Sequence, residues 1–548
     1  MRRIIITVIL LAGFTLVYSQ EEMTQVWLSK LEHKIVYTGT GMEDRGYSFA
    51  ASDKEMTVFK NADGKTLWTK PFKELAPKLN KIDELIPFWE GNTVFLFDRK
   101  MGKDQMACID LEKGTYLWST DKYQDVTDDV IRYIPEEEGF AISLKKSLVF
   151  IKMRTGEEVW QTDKFKGVVG KYVYDVNERA MVMVNFVPGA VASLFTGFKN
   201  QIAKINVQNG EIIWENTYVG RAERKVLTRE FVFDLDVVGN QVILRINGYQ
   251  VYDYKTGASL WSAAFDFVPE GLVPKPAGTI KFGAYGTVAE PVTVGDDLYI
   301  LDMSNKKNQF VKKYDKNTGK LLWSSKEIKD ARVIPGMYIV GDKVLLQIGG
   351  RVETQFYRQI KSGDYIYYIW GVAHPEVKPF GIQAFNTSDG SLAWESERFK
   401  KGITNAVMVG DQFVVSSGKA LYSLDMNTGA EKYEVPVSKG GVGEAQLILQ
   451  FKENTIVVVG EKGISNFNAK TGDLICKGDY KSSSLEDRVD DLLIMKTDKA
   501  DMAAYDLNTC TYKEYKARTG ARTDMSLDGK YVYIYEKNTV TKVATGKK

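Results

Sequence analysis

The chain is a succession of short apolar runs separated by glycine-containing polar turns, and one version of this unit recurs almost from end to end. Its clearest copy is Tyr314-Asp315-Lys316-Asn317-Thr318-Gly319-Lys320-Leu321-Leu322-Trp323. The spacing Gly-x-x-x-Trp appears at Gly64/Trp68, Gly114/Trp118, Gly156/Trp160, Gly210/Trp214, Gly257/Trp261, Gly319/Trp323 and Gly390/Trp394. Degenerate copies follow at Gly429/Tyr433, Gly472/Cys476 and Cys510/Glu514. Asp or Asn stands four residues before the glycine position in eight of the ten copies: Asp110, Asn206, Asp253, Asp315, Asn386, Asp425, Asn468 and Asp506. Seven of the ten tryptophans occupy one motif position, which makes this a true repeat and not an effect of composition.

An apolar run, an Asp/Asn-x-x-Thr-Gly turn and a second apolar run predict a β-hairpin. Glycine supplies the positive φ that a tight turn or bulge requires, and the Asp/Asn side chain accepts hydrogen bonds from nearby backbone N–H groups. The tryptophan lies at a fixed distance beyond the turn and so faces one way in every copy. Burying such a ring is worth about 4–6 kcal/mol, from roughly 150–250 Å² at ~25 cal/mol/Å². The repeated ring therefore reads as the residue that packs one repeat on the next.

Successive motif positions lie 50, 42, 54, 47, 62, 71, 39, 43 and 38 residues apart. Such a period, built only from short strands, predicts an all-β fold, a β-propeller with four strands to a blade. A second hairpin falls in each interval, often behind Gly-Asn or Gly-Asp, as at Gly91-Asn92, Gly239-Asn240, Gly295-Asp296, Gly341-Asp342 and Gly410-Asp411. The expected domain covers 24–546, with strong repeats over 59–394 and degenerate ones over 395–546. It holds roughly 8–11 blade-like repeats, in a single large ring or in two threaded propellers. Thr24 to Leu31 has the pattern of a last blade strand with no hairpin before it, and the C-terminal repeat lacks its last strand. The N-terminal strand is therefore expected to complete the C-terminal blade and close the ring.

Residues 1–19 read as a secretory signal peptide: Arg2-Arg3, an apolar run from Ile4 to Leu16, then small residues near Ser19. No later stretch is long enough to span a bilayer, and no cysteine precedes Cys108 to accept an N-terminal lipid. The expectation is an exported, soluble protein, periplasmic or extracellular. Lys+Arg (73) nearly balances Asp+Glu (71), which argues against a nucleic-acid partner. With only His33 and His374, His-based metal sites and Ser-His-Asp catalysis have little to work with. Cys476 and Cys510 stand in neighbouring repeats at different motif positions; a bridge between them is open, and their redox state is undecided at this level.

Three long connections interrupt the rhythm. The first, 185–200, carries Leu194, Phe195 and Phe198. The second, 266–291, is rich in proline and glycine. The third, 350–379, carries Tyr367, Tyr368 and Trp370, and the alternation around them suggests an added strand. The apolar and aromatic residues of the first and third are candidate partner contacts. Glu136-Glu137-Glu138 and the acidic run from Glu486 to Asp491 read as solvated turns. Arg221, Arg224, Lys225 and Arg229 form a basic segment that reads as a wet face.

The Asp-x-x-Thr-Gly-Lys-x-x-Trp pattern of Asp315 to Trp323 resembles the tryptophan-docking repeat of the pyrroloquinoline quinone (PQQ)-type propeller superfamily. One branch, the quinoprotein dehydrogenases, implies a quinone and a calcium ion in the central channel, an Asp base and often two adjacent cysteines. This sequence has no adjacent cysteine pair and no motif onto which those calcium ligands or that base can be carried. The other branch, BamB-like, implies a non-catalytic scaffold for protein contacts, and this chain resembles it in repeat type and in its lack of catalytic groups. It departs from that branch in length, in its extra repeats and in lacking a lipid-anchor cysteine. The expected function is an exported, non-enzymatic propeller that binds protein partners in the cell envelope, with no metal or cofactor. The alternative is a binder of PQQ or another small molecule with oxidoreductase activity.

Overall fold

The computed structural model describes residues 21–41, 45–100, 104–124, 126, 130–144, 146–186, 199–219, 234–246, 248–263, 279–286, 289–303, 309–328, 331, 333–352, 354–362, 365–478, 480, 484–496 and 501–547. The expected signal peptide, 1–19, the basic segment 221–229, and Leu194, Phe195 and Phe198 fall outside the described residues.

Eleven four-stranded antiparallel blades form one ring. Blades 1–5 span 37–71, 84–120, 131–162, 168–217 and 234–263; blades 6–10 span 292–324, 336–395, 403–436, 445–478 and 484–515. Blade 11 combines Arg522–Met525, Tyr531–Glu536 and Thr539–Ala544 with Gln25–Lys30 as its fourth strand. The expected closure is therefore present: Trp27 pairs with Lys542 and Leu28 with Thr541. Among the described residues, helix is confined to Phe72–Leu75 and short 3-10 turns.

The hydrophobic pattern follows from each strand's place in its blade. Second strands are covered on both sides by neighbouring blades, so Thr93–Asp98 and Gln412–Ser417 are buried throughout. Fourth strands form the outer edge, and their burial alternates, as in Thr66–Pro71 and Glu431–Pro436. The core is accordingly not central: each hydrophobic cluster joins two adjacent blades. Phe95 and Phe97 of blade 2 meet Phe140 and Ile142 of blade 3, and Leu345 of blade 7 meets Phe413 and Val415 of blade 8. The described cluster between blades 5 and 6 is small, built on Ala263, Leu298, Ile300 and Tyr314.

The repeat motif makes the joints between blades. Gly210 has φ 74° and lies under the ring of Trp160 from the preceding blade; a Cβ there would come within 2.7 Å of that ring. Trp27, Trp68, Trp118, Trp214, Trp261, Trp323 and Trp394 sit in the same way on Gly64, Gly114, Gly156, Gly257, Gly319, Gly390 and Gly429 of the blade that follows. Trp27 is thus the docking ring of blade 11 and secures it to blade 1. Most of these indole N–H groups donate to the carbonyl three residues before the glycine they cover, as from Trp160 to Val207 O (2.6 Å), Trp214 to Tyr254 O (2.9 Å) and Trp394 to Met426 O (3.0 Å). The Tyr433 hydroxyl does the same to Ala469 O (2.8 Å) from blade 8. The turn beneath is held by its acidic residue: Asp315 Oδ1 accepts from Asn317 N (3.0 Å) and Thr318 N (2.8 Å).

A one-residue bulge precedes the docking position in ten of the eleven blades, for instance where Val58 pairs with Trp68 and Phe59 with Thr66, leaving Leu67 over. The extra residue turns outward, so Val26, Leu67, Val159, Ile213, Leu260, Leu322 and Ile475 are exposed. Blade 10 is the exception, with unbroken pairing from Met502↔Tyr515 to Asp506↔Thr511. Blade 11 is closed by two separate chain segments and has no turn between its third and fourth strands, so blade 10 has no glycine to dock on. Its edge is covered instead by Glu21–Glu22, added in parallel opposite Lys513 and Glu514, with Met23 buried behind it.

Between blades 9 and 10 the joint is covalent: Cys476 and Cys510 form a disulfide. Glu137 departs from its reading as a solvated turn residue. It is 4% exposed and receives Arg179 Nε (2.7 Å), Arg179 Nη2 (2.5 Å) and the Tyr174 hydroxyl (2.6 Å) from blade 4. Glu486 to Val489 likewise belong not to a turn but to the first strand of blade 10, Ser484–Val489.

Candidate interaction face

Because strands alternate in direction within a blade, the connections from strand 1 to 2 and from 3 to 4 emerge on one face of the ring. Those from 2 to 3, and from each blade to the next, emerge on the other. The first face carries the repeat turns, all short. The second receives every long connection: 187–200 within blade 4, 218–233 between blades 4 and 5, 264–291 between blades 5 and 6, and 352–375 within blade 7. The four connections cluster on consecutive blades, so one sector of one face differs from the rest of the ring.

Two of these connections fold together. Thr354–Ser362 and Tyr365–Ala373 make a hairpin that continues the long middle strands of blade 7, Lys343–Arg351 and Glu376–Asn386. Thr279–Gly286, from the connection between blades 5 and 6, pairs with the hairpin, so that Phe282 stands opposite Arg358 and Tyr285 opposite Gln355. The result is a separate three-stranded sheet. The strand expected around Tyr367, Tyr368 and Trp370 is present as its third member. Sequence reasoning did not find its first member, because a pairing between segments some seventy residues apart leaves no local periodicity.

On the same face, blade 4 carries a polar depression of about 390 Å³ lined by Lys164, Lys166, Lys199, Asn200, Gln201, Glu215, Asn216 and Thr217. Its floor is rigid: fully buried Asn185 donates to Lys166 O (2.6 Å) and Lys199 O (2.8 Å). Gln201 Nε2 donates to Glu215 (2.6 Å), leaving three lysines around one engaged carboxylate.

Several perturbed ionisable groups lie at joints on the turn face. The Arg179 guanidinium holds the Glu137 carboxyl below its ordinary value, with help from Tyr174. The Tyr254 hydroxyl donates to Asp175 and keeps that carboxyl low; Lys204 Nζ lies 3.6 Å from the centroid of the Tyr254 ring. Burial pushes the Cys108 thiol far up, which removes it as a nucleophile. His33 is buried and bonded to Thr57 Oγ1 (2.8 Å). Among the described residues no group of three or more His, Cys, Asp or Glu side chains is placed to hold a metal ion.

A family model described as outer membrane protein assembly factor BamB matches residues 16–263 and 380–509. The chain belongs to this family. The stretch between the two matched segments, 264–379, contains all three strands of the separate sheet together with blade 6. No curated protein matches the chain. Solved structures that match the chain include BamB from Moraxella catarrhalis (14% identity, TM-score 0.28, covering 71% of this chain and 91% of that one). Others are the computationally designed Ika8 protein (12%, 0.34, 69% and 97%) and a eukaryotic initiation factor (11%, 0.36, 81% and 97%).

Proposed function

We propose that this protein is an exported, non-enzymatic scaffold that holds a protein partner in the cell envelope, and that the partner docks on the long-connection face over blades 4–7. The observation that carries this reading is the segregation of every long connection to one face of consecutive blades. A rigid ring that confines its long loops to one sector is built to present them. The family's description as an outer membrane assembly factor supports a role in protein contacts. The Cys476–Cys510 disulfide supports export, since such bonds persist in oxidising compartments.

The test is site-specific photocrosslinking in cells. Probes at Lys199, Lys326 and Glu397 report on the long-connection face; probes at Asn240, Asp296 and Asp342 report on the turn face. A discrete crosslinked partner from the first set alone is expected, and crosslinks from the second set alone would overturn the assignment. An absorption spectrum with calcium titration, before and after adding PQQ, is expected to show no bound chromophore. Calcium-dependent quinone binding would instead establish the oxidoreductase alternative.

A further inference from the structure

The net charge of +2 conceals an uneven distribution. Outside the strands, the described residues of the turn-face connections include 18 Asp and Glu against 11 Lys and Arg. Those of the long-connection face include 13 against 22. The ring is thus electrically polar, negative on the turn face and positive on the other. A face of one sign attracts a partner of the opposite sign and orients it before contact.

Part of the positive excess is gathered over blade 4. Lys164, Lys166 and Lys199 line the polar depression, and among the described residues none of their ammonium groups is in an ion pair. Cations of the turn face are neutralised where they stand, as Arg154 is by Asp110, Arg179 by Glu137 and Lys65 by Asp63. The three lysines come from two separate connections, yet two buried amides tie their backbones together. Asn185 Nδ2 holds Lys166 O and Lys199 O, Gln201 Nε2 holds Lys164 O (3.1 Å), and Asn185 Oδ1 accepts from Gln201 N (2.7 Å). Glu215, the one carboxylate lining the depression, is already bonded to Gln201. The cations are therefore held in place around the recess and left for an anion from outside.

We propose that this depression receives an acidic segment of the partner, a run of Asp and Glu side chains, a reading that rests on the docking face proposed above. A recess of about 390 Å³ admits side chains, whereas a bilayer is flat. The added sheet also continues past this face from Lys343–Arg351 and Glu376–Asn386, which holds a flat surface away from blade 4. Charges separated by more than about 10 Å of salt solution are largely screened.

Fluorescence anisotropy of a labelled oligoglutamate peptide with the purified full-length protein tests this. Binding is expected, weakening as salt rises from about 0.05 to 0.2 M. Lys164→Glu with Lys166→Glu and Lys199→Glu should lower the affinity by at least about tenfold, while Lys113→Glu with Lys255→Glu and Lys320→Glu, exposed on the turn face, should change it by less than about twofold. Changing the first three lysines to glutamine instead should give an intermediate loss at an unchanged melting temperature, which separates lost binding from lost fold. No binding would overturn the proposal, and so would equal losses in the two glutamate variants. Vesicles of anionic lipid that bind through the same three lysines when the peptide does not would replace the acidic segment with a membrane. In cells, the crosslinks expected from Lys326 and Glu397 should fade in the Lys164/Lys166/Lys199 glutamate variant. Crosslinks undiminished there would leave the docking face standing and overturn the acidic segment alone.

Discussion

Cys476 and Cys510 are bonded to each other at the two positions where other blade pairs place a docking ring and the residue beneath it. Cys476 replaces the tryptophan of blade 9. Cys510 replaces the glycine of blade 10 and keeps its left-handed backbone, with φ 57°. A covalent bond thus stands in for the packing and the indole hydrogen bond that join other blades. The neighbouring Asn466 amide still reaches the usual carbonyl, Leu507 O, at 2.5 Å.

Reduction, or Cys476→Ser with Cys510→Ser, should therefore cost about 2–4 kcal/mol, the range for a crosslink closing a loop of this length. Cys476→Trp with Cys510→Gly should recover much of that loss and make the melting temperature insensitive to reductant. Differential scanning calorimetry with and without a reducing agent measures both. A double substitution no better than the serine pair would show that the joint cannot accept a ring.

Trp323→Ala should cost about 3–5 kcal/mol, as large core truncations do. The indole N–H is a separate contribution. Trp214 donates to Tyr254 O, whereas Trp261 Nε1 is buried without an acceptor. Trp214→Phe should cost about 1 kcal/mol, and Trp261→Phe should be close to neutral, since it removes a donor that bonds nothing in the protein. Chemical denaturation of the two variants side by side gives the difference.

Removing residues 21–30 takes the fourth strand from blade 11, the docking ring from Gly64 and the cover from blade 10. Two sheet edges become bare together, so the truncated chain should show early hydrogen exchange in blades 1, 10 and 11 and aggregate on warming. Trp27→Ala, which leaves the strand in place, should loosen only the joint between blades 11 and 1.

The Glu137 carboxyl, held low by Arg179, gives stability that is fully present above its unfolded value near 4.5 and is lost as the pH falls through its lower folded value. Acid should therefore loosen the joint between blades 3 and 4. Glu137→Gln should cost about 1–3 kcal/mol at neutral pH, because a buried acceptor of charged hydrogen bonds is replaced. It should also flatten the stability profile below pH 4.5. Thermal melts of both proteins across that range test the sign.

The repeat, the turn chemistry, the four-stranded blades and the closing strand were legible because each has a local signature in the order of residues. The disulfide was left open by the sequence, because a docking position and the next glycine position are both cysteine but only the packing of blade 9 on blade 10 brings the two together. Glu137 was not legible, because its partners Tyr174 and Arg179 come from the next blade and nothing in a Glu-Glu-Glu run distinguishes the middle carboxyl. The confinement of long connections to one face needed the strand directions, which follow only once every blade is counted.

The pairing of Gln25–Lys30 with Thr539–Ala544 also bears on the order in which the ring can form. Gln25–Lys30 is made long before Thr539–Ala544, the strand it pairs with. Trp27 can dock on Gly64 of blade 1 early, while its own strand still lacks a sheet to join. Bringing strands together across so long a chain is an intrinsically slow event. Blades 1 to 10 can assemble in sequence as the chain emerges, but the circle is sealed only once Thr539–Ala544 is in place, so a chain that stops short of that strand would betray itself by an unsealed end.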